Sequence, residues 1–158
     1  MEKNHARIFF DASSQNEGFA RMVVMGFMME MNPTMDELQD VKTAVSEAVT
    51  NAIIHGYGDY AEEKGPDAAQ VEMTCTRLEN KLTIIVEDHG VGIENVEQAR
   101  QPFFTTKPEQ ERSGMGFAFM ETFMDEVEVV SKVGEGTRVT MSKYIISEDM
   151  SLKEQGVE

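Results

Sequence analysis

The chain has 158 residues, a length that suits one domain with a single core. Its 29 acidic against 14 basic residues leave a formal charge of -15. That field repels a phosphate backbone and so argues against direct nucleic-acid binding, while favouring steered encounter with a basic protein surface. Cys75, the one cysteine, permits no internal disulfide, and its place in an alternating apolar segment reads as a buried, inert thiol. Residues 1–7 carry no apolar signal core, and no run approaches the length of a membrane span. A cytoplasmic protein with no membrane contact is expected.

In chain order, Ala6 to Asp11 reads as a short first strand, and Ser13 to Asn16 as a turn that caps a helix from about Glu17 to Met31. That helix carries Phe19, Met22, Val23, Met25, Phe27 and Met29, an apolar load wide enough for burial on more than one side, most of it against the core and some of it open to a partner. Asn32-Pro33 stops it, because the residue before proline is pushed out of the helical region. Thr34 to Glu37 then forms a capping-box pattern. Behind it, Leu38, Val41, Ala44, Val45, Ala48, Val49, Ala52 and Ile53 recur at three- and four-residue steps and predict a long helix up to Gly56.

A polar loop from Tyr57 to Ala69 follows. Gln70 to Thr76 and Lys81 to Asp88 read as antiparallel strands turning near Glu79-Asn80, and Glu94 to Arg100 as a short helix. The charged, proline-containing stretch Gln101 to Ser113 reads as a mobile loop before a helix from about Gly114 to Met124. The strands Glu126 to Ser131 and Thr137 to Tyr144, joined through Gly134-Glu135-Gly136, complete the pattern. Residues 1–146 are expected to form one domain and 147–158 a polar, frayed tail. Strands joined by hairpins favour an α+β two-layer sandwich over a doubly wound parallel sheet.

Three short motifs stand out. Glu47 and Asn51, one helical turn apart, project from one helix face at the rim of the apolar stripe. The asparagine offers a neutral oxygen to Mg²⁺, and the carboxylate a general base; taken as a pair alone, they also read as solvated helix residues. His55, a turn further on, reads as a packing or capping histidine. Asp88-His89-Gly90-Val91-Gly92 ends the apolar strand Ile84 to Val86 in a carboxylate that can accept from an exocyclic amine, with Gly90 and Gly92 allowing a tight turn. Alone it is a common turn, and its setting does not fit a dinucleotide fingerprint. Ser113-Gly114-Met115-Gly116 opens a predicted helix, where backbone amides suit phosphate.

The order E-x-x-x-N, D-x-G-x-G, G-x-G resembles the Bergerat-fold ATPases shared by gyrase, Hsp90, histidine kinases and MutL. The runs Glu47 to Gly56 (EAVTNAIIHG), Pro102 to Pro108 (PFFTTKP) and Arg112 to Phe117 (RSGMGF) narrow this to a likeness with the anti-sigma serine kinases of spore-forming bacteria, most of all their sporulation sigma F branch. The likeness spans nearly the whole chain. It implies a two-layer sandwich with a mixed, mostly antiparallel sheet and helices on one face. It also implies ATP or ADP with Mg²⁺ as ligands, inhibition of a sporulation sigma factor by binding, phosphorylation of a serine on a small anti-anti-sigma protein, and a homodimer. By the same likeness Glu47 is the general base and Asn51 the magnesium ligand. Asp88 reads adenine, with Gly92 beneath the base and Thr137 beside the carboxylate. Ser113, Gly114, Met115 and Gly116 face the phosphates, Thr105, Thr106 and Lys107 belong to the ATP lid, and Arg21 meets protein partners. Three alternatives stay open: a related kinase of a stress-response sigma factor, an orphan histidine-kinase ATPase domain, and a nucleotide-dependent binding module without catalysis.

Overall fold

The computed structural model describes residues 2–58, 68–101 and 116–146. Within them the elements are β1 (Lys3–Asp11), α1 (Asn16–Met28), a 3₁₀ turn (Met29–Met31), α2 (Met35–Asn51), a π-helical turn (Ala52–Tyr57), β2 (Gln70–Leu78), β3 (Lys81–Asp88), α3 (Val96–Ala99), α4 (Gly116–Phe123), β4 (Glu126–Lys132) and β5 (Gly136–Tyr144). The five strands form one sheet in the order β1-β2-β3-β5-β4. Every pairing between them is antiparallel, where the family resemblance implies a mixed sheet.

Strand periodicity decides what the sheet buries. On β2 the inward row is Val71, Met73 and Cys75, and on β3 it is Leu82, Ile84, Val86 and Asp88. These residues meet Val24 and Met28 of α1, Val41, Val45 and Val49 of α2, and Met120 of α4, so the helices cover one face. Cys75 is buried as expected, and desolvation pushes its thiol up to about 12. On the opposite face Glu72 and Glu87 stand directly across from one another. Each is neutralised from its outer side, Glu72 by Arg7 at 2.5 Å and Glu87 by Arg138 at 2.7 Å, which removes the repulsion that two opposed carboxylates would impose.

The methionine-rich first region sends fewer of its methionines into the core than its pattern suggests. Met28 and Met31 are buried, whereas Met22, Met29 and Met35 are exposed together with Phe19. Side-chain capping of α1 does not occur: Gln15 takes the N-cap place without a side-chain hydrogen bond. Asn32 adopts the left-handed conformation (φ 50°) that asparagine tolerates, and ends the 3₁₀ turn.

The capping box at α2 is complete. Glu37 donates its backbone N–H to Thr34 Oγ1 at 3.1 Å, and Glu37 Oε1 accepts from the Thr34 amide at 2.9 Å. The second carboxylate oxygen of Glu37 accepts from the Ile146 amide at 2.7 Å, so this buried side chain also ties the segment after β5 to the start of α2. At its other end α2 departs from expectation. The predicted α-helix to Gly56 keeps α geometry only to Asn51, then widens so that Gly58 donates to Ile53 O at 3.1 Å. The wider turn brings the Gly56 backbone against the end of β3, where its carbonyl accepts from the Val91 amide at 2.8 Å.

Because Glu37 satisfies two amides in a site shielded from water, Glu37→Ala is expected to destabilise the fold by about 2 to 4 kcal/mol in urea unfolding, with Glu37→Gln falling between it and the parent. A loss under about 0.5 kcal/mol would show that water replaces both bonds.

Candidate nucleotide site

A cavity of about 900 Å³ opens between the end of α2, the end of β3, α3, the start of α4 and β5. Its walls are largely aliphatic, from Val86, Val91, Ile93, Val133 and Val139, with Ala48 and Ala52 on the α2 side. Asp88, 6% exposed, is the buried carboxylate among them. Its placement follows from β3: the alternation that turns Leu82, Ile84 and Val86 inward turns Asp88 inward too.

The carboxylate is held closely. Asp88 Oδ1 accepts from the Gly90 amide at 3.0 Å, and the Thr137 amide, paired with Asp88 in the β3–β5 register, donates to the same side chain. Burial nonetheless dominates and raises the Asp88 carboxyl to about 6, with the two amides and His89 pulling the other way. Close approach also dictates glycine at two neighbours. A Cβ on Gly56 would lie 2.6 Å from Asp88 Cγ, and one on Gly136 2.0 Å from the Asp88 carbonyl oxygen.

The other residues singled out from sequence fall as follows. Asn51, Gly92, Gly116 and Thr137 line the cavity. Gly90 is buried in the turn below it. Glu47 is half-buried one turn before Asn51 on the same helix side, and is not part of the cavity lining. Arg21 lies on α1, paired with Glu17 at 3.3 Å, and takes no part in the cavity. Thr105, Thr106, Lys107, Ser113, Gly114 and Met115 lie outside the described residues.

Sequence reasoning missed part of the wall. His55, read as a packing or capping residue, stands in the cavity lining. Gly136, read only as part of a hairpin connection, packs on Asp88 because β5 is the neighbour of β3. Gln98 and Ala99 of α3 also line the site, and nothing in their spacing marks them. Ser131 holds the far side together, donating to Gly136 O at 3.0 Å, accepting from the Ile93 amide at 2.7 Å, and meeting Thr137 Oγ1 at 2.8 Å.

A flat aromatic base with an exocyclic amine fits this arrangement: aliphatic walls, a volume in the usual range for small-molecule sites, and one buried acceptor. The amide oxygen of Asn51 offers a hard cation one ligand, and Mg²⁺ needs few from protein.

The raised Asp88 carboxyl sets a stability cost with a defined sign. Between about 4 and about 6 the folded state binds a proton that the unfolded state has lost, so stability falls as pH rises through that window. Asp88→Asn is therefore expected to stabilise the nucleotide-free protein at pH 7.5 by up to about 3 kcal/mol in urea unfolding, with the gain gone below about pH 4. ATP and ADP should bind more weakly to the variant by calorimetry. A gain that does not change with pH would show that the carboxylate's charge is not its source.

The family description "Histidine kinase-like ATPase domain" matches residues 10–143. The "Anti-sigma F factor" of Clostridium novyi (strain NT) is 53% identical over 147 residues, 93% of this chain and 99% of that protein. The "Anti-sigma F factor" of Anoxybacillus flavithermus is 53% identical over 143 residues, 90% of this chain and 94% of that protein. Among solved structures, the RsbU and RsbW domains of a Mycobacterium tuberculosis protein superpose with a TM-score of 0.61 at 19% identity, covering 90% of this chain and 32% of that one. The catalytic domain of the histidine kinase ThkA gives 0.51 at 16%, covering 92% and 98%. At such identities these two structures speak to the fold alone. With a family match across most of its length and relatives identical at more than half of the aligned positions, the chain belongs to the anti-sigma F factors within the histidine kinase-like ATPases.

Proposed function

We propose that the chain binds ATP and ADP with Mg²⁺, holds a sporulation sigma factor in an inhibited complex, and phosphorylates a serine on a small anti-anti-sigma protein. What carries the reading is a buried carboxylate and a helix-borne asparagine in the walls of one cavity, in a chain whose relatives bear the name anti-sigma F factor. Mg²⁺ and ATP, when bound, supply charge neutralisation and the transferable phosphoryl group. The chain's own residues do the rest. Asp88 accepts from the base amine and fixes the nucleotide's orientation. Asn51 ligates the cation through its amide oxygen. Glu47, one turn away, accepts the proton of the serine hydroxyl as general base.

Gly116 lines the cavity and is assigned to its phosphate-facing end by family likeness. Ser113, Gly114 and Met115, with Thr105 to Lys107 of the lid, are assigned there by family likeness. The acidic surface favours a basic partner through on-rate and specificity. Arg21 and the exposed Phe19 and Met22 of α1 are assigned to partner contact, and the chain to a homodimer. Recovery of bound proteins from cell extract tests the pairing of nucleotide and partner. A sigma factor is expected with ATP and an anti-anti-sigma protein with ADP.

Asn51→Ala is expected to abolish the Mg²⁺ dependence of ATP affinity while leaving the base preference intact. A titration with unchanged metal dependence would remove Asn51 from the ligand role. Glu47→Gln keeps the shape of the side chain without proton acceptance, so single-turnover transfer to the anti-anti-sigma serine should fall by roughly 10² to 10⁴-fold while ATP and sigma-factor binding persist. A transfer rate near that of the parent would exclude Glu47 as the base, and absence of transfer in the parent would favour a binding module without catalysis.

A further inference from the structure

We infer that Tyr57 is a positioning residue for base recognition, acting through the turn that follows β3; the inference rests on the reading of Asp88 as the acceptor of the base amine. Tyr57 closes the π-helical turn, is 2% exposed, and is not among the residues that line the cavity, so it stands behind the wall rather than in it. Its hydroxyl donates to Gln70 O at 2.5 Å, at the first residue of β2, and accepts from the His89 amide at 2.9 Å. The neighbouring Gly56 carbonyl accepts from the Val91 amide at 2.8 Å, and the Gly90 amide between them donates to Asp88 itself.

Successive amides of the turn are thus fixed in alternation, His89 and Val91 by the end of the α2 segment and Gly90 by the carboxylate that the turn must present. The turn is not free to choose where Asp88 points, because its peptides are set from outside the strand. Recognition of one amine by one carboxylate tolerates only a fraction of an ångström of displacement. The phenol hydroxyl therefore serves the base specificity of the site, over and above the apolar volume that its ring supplies to the core.

Three nucleotide titrations separate this role from simple packing. The parent protein is expected to prefer ATP over purine riboside triphosphate, which lacks the 6-amino group. Tyr57→Phe fills the same volume and strands two polar backbone groups; it should weaken ATP binding by about tenfold and bring the preference for the amine close to unity. In an Asp88→Ala background, where no side-chain acceptor for the amine remains, the same change should cost less than about twofold. Should Tyr57→Phe fail to fold, 4-aminophenylalanine at position 57 retains a donor toward Gln70 O but offers the His89 amide a poor acceptor. It is expected to fold and to lose part of the preference. A preference for the amine that survives either variant, or costs that add in the double variant, would overturn the positioning role while leaving the adenine reading intact. A parent protein with no preference would overturn both.

Discussion

The alternation of β3 between the two faces of the sheet is the constraint on which the rest depends. Leu82, Ile84 and Val86 must face the helices to make the core, and a strand has no other way to continue than to carry Asp88 to the same face. A shift of register by one residue would expose the core row and bury Glu87, which is instead held on the open face by Arg138. Burial of a carboxylate is thus a by-product of core formation. Its cost is contained by amides from two places, the Gly90 turn and β5, and by glycines that let backbone close around it.

The helical layer responds to the same carboxylate. A continuous α-helix satisfies the apolar spacing of α2, yet the chain widens after Asn51. The widened turn sets Gly56 on Asp88 and Tyr57 beneath His89, and it places Asn51, Ala52 and His55 along one wall. Local helix geometry is given up where the cavity needs it, a common association of π-turns with functional sites.

How much was legible follows from the range of each interaction. The capping box of Thr34 and Glu37, the apolar stripe of α2 and the bounds of β3 are local patterns and can be read from spacing, whereas Asn51, Asp88 and Gly92 stand out only through the order of three motifs and the family likeness it carries. What could not be read are approaches between distant segments. The inward packing of Gly136 depends on β5 lying between β3 and β4, and the second bond of Glu37 depends on where Ile146 comes to rest. That His55 stands in the cavity wall was not legible either, because the π-turn that puts it there has no spacing signature. The alternating tether from Tyr57 and Gly56 was hidden for the same reason.

The strand order bears on how the protein comes into being at the ribosome. β1 pairs with β2 across most of the first half of the chain, Lys3 against Leu78, and β3 finds its second neighbour in β5, the last strand among the described residues. Until β5 has emerged, Asp88 lacks the Thr137 amide and the cavity lacks the wall formed by Thr137 and Val139. A nascent chain therefore cannot hold nucleotide through part of the site. Long-range pairing of this kind slows folding, and the two ends of the sheet must close before any ligand can reward the closure. A ligand that needs the assembled cavity then stabilises the folded chain over the unfolded one.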